Sequence, residues 1–167
     1  MFDSDPKLRG LPEAVEVTLF RIIDKTIRAD ATVAAQVKVF RSWLGNPGDK
    51  TPPSSTEAPY IRLTPMGSAE EWWSTDSQLG WLNIEVELWV NGTCSDDIAN
   101  LWFAIKRSIY PLDPVERNEF ISRLQVAGAH KGLIEFMAPA FDRDGGEDGS
   151  FHAVAQMRIR YRVNYWS

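Results

Sequence analysis

The sequence predicts an α+β fold: a mainly antiparallel sheet with helices packed on one face and a long C-terminal β-hairpin. Three observations carry this. The stretch WLNIEVELWV, residues 81–90, alternates apolar and polar side chains, the period of a half-buried strand. Two stretches, 12–29 and 95–110, repeat apolar residues at helical spacing instead. The elements also run helix, strands, helix, helix, strands, without the strand–helix–strand alternation that builds a parallel sheet.

The first helix is expected over about 12–29. Pro12 suits its first turn, and Glu13 and Glu16 favour the positive end of the helix dipole. Val15, Leu19, Ile22, Ile23 and Ile27 make its apolar stripe. QVKVFRSW, residues 36–43, alternates and predicts a first strand. The run GNPGDKTPPSSTEAP, residues 45–59, is too rich in Gly, Pro, Ser and Thr for a core element and predicts a long loop. YIRLTP, residues 60–65, reads as a short strand closed by Pro65. Residues 66–80 read as a second irregular loop, carrying Trp72 and Trp73.

In the strand 81–90, Leu82, Ile84, Val86, Leu88 and Val90 are expected to face a core. Asn83, Glu85 and Glu87 lie between Trp81 and Trp89 on the other side. The Ser-Asp-Asp at 95–97 is a helix start signal. The helix it opens sets Ile98, Leu101, Trp102, Ile105 and Ile109 on one face and stops before Pro111. DPVERNEFISRL, residues 113–124, begins with Asp-Pro and predicts another helix. GLIEFMAPAF (132–141), the turn-rich DRDGGEDGS (142–150) and a strand from about Phe151 to Trp166 make the hairpin.

At 167 residues the chain is expected to form one domain over 1–167, large enough for a core without metals or disulfides. Its net charge of −5 argues against a general nucleic-acid binder, which carries a basic balance. The one cysteine, Cys94, allows no internal disulfide and reads as a small residue ahead of a helix, which fits intracellular synthesis. MFDSDPKLRG does not read as a signal peptide, and no apolar run nears the ~20 residues that cross a bilayer, so a soluble chain without membrane partners is expected. Seven tryptophans, several in polar segments, point to protein–protein contact surfaces.

Catalytic chemistry finds little to stand on. His130 and His152 have no neighbouring Ser or Cys in a nucleophile arrangement, and no phosphate-cradling or dinucleotide glycine pattern occurs. One cysteine and two histidines cannot build the usual zinc site. A calcium loop counted from Asp142 has Asp144 at its third position but Gly146 at the fifth and Ala153 at the twelfth, so the pattern fails. Glu70 and Glu71 sit in a polar loop where carboxylates are solvated. No catalytic residue, cofactor or metal is expected, and the chain is not expected to be an enzyme.

The C-terminal MRIRYRVNYW places Arg158, Arg160 and Arg162 on one face of a strand and Met157, Ile159, Tyr161 and Val163 on the other. Glu85 and Glu87 share that spacing. If the two strands are neighbours, the arginines are expected to pair with these glutamates, within or between subunits. A face mixing Trp81, Trp89, Trp166, Glu85, Glu87 and the three arginines, with Trp72 and Trp73 nearby, is the candidate subunit or partner interface. A solvated sheet face and a small nucleic-acid-binding module using the Arg158–Arg162 row are the alternatives.

The ensemble resembles the tail terminator proteins of long-tailed bacteriophages and related prophage-like particles. The resemblance lies in the order of helix 12–29, PYIRLTP, WLNIEVELWVNG leading into SDDIANLWFAIKRSIYP, and the C-terminal hairpin, and covers the chain from about residue 12. It implies an α+β fold and a structural virion protein at the head-proximal end of the tail, assembled in the host cytoplasm. Implied too is a homo-oligomeric ring, a hexamer, that stops tube polymerisation and offers the head its docking surface. Its partners would be the tail tube protein and neck or connector proteins, with DNA passing through the lumen without specific binding. Another head–tail joining protein is the nearest alternative. No family motif carries site residues onto this chain.

Overall fold

The computed structural model describes residues 5–42, 55–67, 69–91, 95–142 and 151–164. Among them lie the helices α1 (Val15–Ala29), α2 (Ala31–Gln36), α3 (Ser95–Ile109) and α4 (Pro114–Val126). The strands are β1 (Val39–Ser42), β2 (Tyr60–Met66), β3 (Glu71–Ser74), β4 (Ser77–Val90), β5 (Ala129–Asp142) and β6 (Phe151–Asn164). All six form one sheet in the order β1-β2-β4-β6-β5, with β3 beside the start of β4. The β1–β2 pair is parallel and the others antiparallel, so the fold is α+β, and β5 and β6 form the expected hairpin.

Strand alternation builds the core. Leu82, Ile84, Val86 and Leu88 of β4, Ile61 and Leu63 of β2 and Met157 and Ile159 of β6 turn to one face and are buried. They meet Leu19, Phe20, Ile23 and Ile27 of α1 and Ile98, Leu101, Trp102, Ile105 and Ile109 of α3. Each fully buried Leu, Ile or Met contributes roughly 1.5–3 kcal/mol. The helices therefore lie on one face of the sheet, and the opposite face carries polar and aromatic side chains.

Several boundaries differ from expectation. The first helix starts at Val15, with Ala14 as an N-cap that makes no side-chain bond, while Glu13 instead pairs with Arg21 at 2.7 Å. The unexpected α2 is capped by Asp30, whose Oδ1 accepts from Val33 N at 2.9 Å, and buries only Val33. It takes up Gln36, so the first strand begins at Val39. The second strand does not close at Pro65 but runs to Met66, with Pro65 opposite Ile84. Among the described residues β1 pairs as far as Leu63, so there Pro65 has one strand neighbour and its missing N–H breaks no ladder on the other side. The helix at 113–124 forms as α4, where Asp113 Oδ1 accepts from Val115 N at 2.9 Å and Pro114 fills the first turn.

The expected loop at 66–80 is instead largely ordered strand. β3 and the first residues of β4 make a tight hairpin, with Ser74 Oγ donating to Asp76 Oδ1 at 2.6 Å and lying 2.8 Å from Ser77 Oγ. Residues 43–54, Cys94, the hairpin tip 143–150 and Trp166 lie outside the described residues.

Candidate functional site: the sheet face opposite the helices

The candidate face is built by the register of β4 on β6. The two strands pair without a bulge from Ser77↔Asn164 to Val90↔Phe151. Trp81 thus stands opposite Arg160, Asn83 opposite Arg158, Glu85 opposite Gln156, Glu87 opposite Val154 and Trp89 opposite His152. The strands are neighbours, as required, but the register places Glu85 and Glu87 two and four residues short of Arg158, the near end of the arginine row. The expected pairing of Glu85 and Glu87 with Arg158, Arg160 and Arg162 does not form.

Other residues take the arginines instead. Arg158 Nε donates to Glu135 Oε2 at 2.6 Å, the register partner on β5. Arg160 Nη2 lies 3.5 Å from Glu71 Oε2, a reach across β4 to β3. Both guanidinium groups also rest on the Trp81 ring, at 4.4 and 4.9 Å from its centroid. Such contacts add about 0.5–2 kcal/mol where the cation is partly desolvated. Arg162 is exposed, and its backbone N–H donates to Gly128 O at 2.9 Å.

A second cluster occupies the other end of the face. Arg62 on β2 pairs with its register partner Glu87, and both side chains are mostly buried, 15% and 12% exposed. Burial works to lower the Arg62 pKa, but the hydrogen bond and charge of Glu87 outweigh it and hold the guanidinium above its ordinary value. Arg62 lies 5.1 Å over the Trp89 ring, His152 stacks on that ring at 4.1 Å, and Tyr60 meets it edge-on at 5.2 Å. His152 Nε2 lies 3.7 Å from Glu87 Oε1. Trp89, expected at the interface, is only 3% exposed, so its role is to hold this cluster together.

The exposed aromatic surface comes from β3. Trp72 and Trp73 are 66% and 57% exposed. The Trp73 ring contacts His130 of β5 at 5.5 Å, although β4 and β6 lie between their strands, so it lies across the face. Consecutive residues of β6 grip the segment leading into β3 from both sides. Arg160 takes Glu71 on the open face, and Tyr161 on the helix face donates its hydroxyl to Glu70 Oε1 at 3.0 Å. Burial first, then Glu16 and Glu70, push the Tyr161 phenol well above the ordinary tyrosine pKa.

Of the predicted interface residues, the structure thus gathers Trp81, Arg158, Arg160 and Trp73 at one end of the face, while Trp72, opposite Gln78, takes the other side of β3. Glu87 and Trp89 form the cluster at the other end, and Glu85 is half-buried between them. The sequence reading missed Glu71, Glu135, Arg62 and His130. Arg62 and Glu135 do carry a signal, since each alternates with buried residues in its strand.

A cleft of ≈ 460 Å³ lies apart from this face, where Gln36 and Thr32 of α2 meet Asn100 and Leu101 of α3. Among the described residues, no group of three or more His, Cys, Asp or Glu could hold a metal ion, and no helix is long and apolar enough to cross a membrane.

No family model and no curated protein matches the chain. Among solved structures it is similar to a chain described as "Virion of native gene transfer agent (GTA) particle". The two share 15% identity over 91% of this chain and 100% of that one, with a TM-score of 0.51. At that identity the likeness is one of fold, and it spans both chains. A second solved chain aligns over 95% of this one at 12% identity with a TM-score of 0.38, too slight to bear on the fold.

Proposed function

We propose that this chain is a structural virion protein of a phage-like particle, and within that class a tail terminator. Copies would form a ring, a hexamer by the family resemblance, on the head-proximal end of the tail tube, stopping its polymerisation and presenting a docking surface to the neck. No catalysis is involved. The fold likeness to a gene transfer agent virion chain, across 91% of this sequence, carries the virion reading. The terminator reading adds the resemblance in element order. The sheet face supports a protein partner over nucleic acid: Arg158 and Arg160 are matched by Glu135 and Glu71 and laid on Trp81, which leaves no bare cationic row for phosphates. DNA would pass through the ring without specific binding.

Immunogold electron microscopy tests the position. Label is expected at one tip of isolated tails, the tip that meets the head. Label along the tube, or on heads that carry no tail, would overturn the terminator reading, and the second outcome would favour a head–tail joining protein.

A further inference from the structure

β5 stands at the edge of the sheet and pairs only with β6 among the described residues. An open strand edge invites another strand, and natural proteins cover or interrupt it. Here the first half of β5 is covered. Tyr110 Oη accepts from Ile134 N at 2.6 Å and donates to Gly132 O at 3.4 Å, and Gln125 Nε2 donates to Lys131 O at 3.1 Å. Beyond Ile134, no backbone partner on that side is seen among the described residues up to Pro139, which has no N–H to offer. Four residues, 135–138, therefore remain open, with Leu133, Met137 and Phe141 exposed alongside.

The opposite edge of the same sheet has matching properties. β1 is also four residues long. It runs parallel to β2, and the antiparallel pairs β2–β4, β4–β6 and β6–β5 set it antiparallel to β5. A copy shifted sideways in the plane of the sheet would therefore bring its β1 antiparallel to the first copy's β5, the favoured pairing. Charge agrees as well. Lys38 and Arg41 are exposed at β1, with no ion pair among the described residues. In the antiparallel register that sets Val39 beside Met137, Arg41 stands opposite Glu135, whose side chain is 53% exposed.

We infer that the open half of β5 receives the β1 edge of a second copy, so that one sheet continues across the subunit boundary. This rests on the ring reading and names its lateral contact. The contact is head-to-tail, the type that closes a ring when the rotation allows. Arg28 Nη1 holds the Phe40 carbonyl at 3.2 Å, so the seam is short and relies on charge and apolar packing as well as on backbone pairing.

Cysteine cross-linking in a Cys94→Ser background tests it. Val39→Cys and Met137→Cys lie on opposite edges of one chain, roughly 19 Å apart at four strand spacings, beyond the ~7 Å between Cα atoms that a disulfide spans. Equimolar single variants, mildly oxidised as purified protein and again in assembled particles, are expected to give mixed dimers. Each variant alone should give none, the double variant should give a ladder, and adding Lys38→Glu with Arg41→Glu should abolish it. Absence of mixed dimers in both samples, or dimers from one single variant alone, would overturn the inference. Cross-links without control of tail length would remove the terminator reading and leave this contact standing; control of tail length without cross-links would do the reverse.

Discussion

Gly80 and Tyr161 face each other across β4 and β6, and the Tyr161 ring fills the space that a side chain on Gly80 would need. A Cβ there would lie 2.5 Å from Tyr161 Cζ and 2.6 Å from its hydroxyl oxygen. The ring is buried and its hydroxyl is bonded to Glu70, so it has little freedom to move aside. Gly80→Ala is therefore expected to lower stability by about 1–3 kcal/mol, read as a fall in the urea midpoint. An unchanged midpoint would show that the ring shifts without loss.

Tyr161 also sets an alkaline limit. Its phenol pKa is raised in the folded chain, so the folded state keeps this proton at a pH where the unfolded state has lost it. The stabilisation is present below the unfolded pKa and fades as pH rises above about 10. Tyr110 is raised by burial as well and acts in the same direction. Tyr161→Phe should cost about 1 kcal/mol at neutral pH for the lost hydrogen bond and should flatten the decline in stability above pH ~10. Identical alkaline slopes in the two proteins would rule out this role.

The Arg62–Glu87 pair is a stability element within the candidate face. Glu87→Ala leaves a mostly buried guanidinium without its carboxylate, and the expected cost is about 3 kcal/mol in denaturant unfolding. A loss no larger than that of an exposed pair, ~0–1 kcal/mol, would show that water replaces the carboxylate freely.

The proposed contact surface takes in Arg160 and the β3 tryptophans, whose side chains lie outside the core. The Arg160–Glu71 pair is exposed on the glutamate side, so Arg160→Glu, which also removes the Trp81 contact, should cost the monomer about 1–2 kcal/mol. It sets two carboxylates together beside Trp81 and should block assembly. Trp72→Ala should change monomer stability by about 0.5 kcal/mol or less and reduce assembly as well. Sedimentation of each variant, beside its unfolding curve, separates the two effects. Normal assembly from both would remove this end of the face from the interface.

Periodicity made much of this legible in the sequence. The strand 81–90 and the helices α1 and α3 each announce one apolar face, and that face is the one buried; α4 is signalled instead by its Asp-Pro start and buries only Phe120 and Leu124. α2 was hidden because six residues with one buried valine make no stripe. β3 was hidden because both its tryptophans are exposed and its four residues show no alternation. The arginine–glutamate pairing failed for a different reason. A period of two tells which face a residue takes, but the offset between β4 and β6 is set by packing between strands distant in sequence. That offset gave Arg158 and Arg160 to Glu135 and Glu71, and Glu87 to Arg62.

The central claim is that this chain ends tail growth. Electron microscopy of particles from cells lacking its gene measures that directly. The account predicts overlong tails of variable length beside unjoined heads. Tails of normal length that merely fail to attach would contradict it.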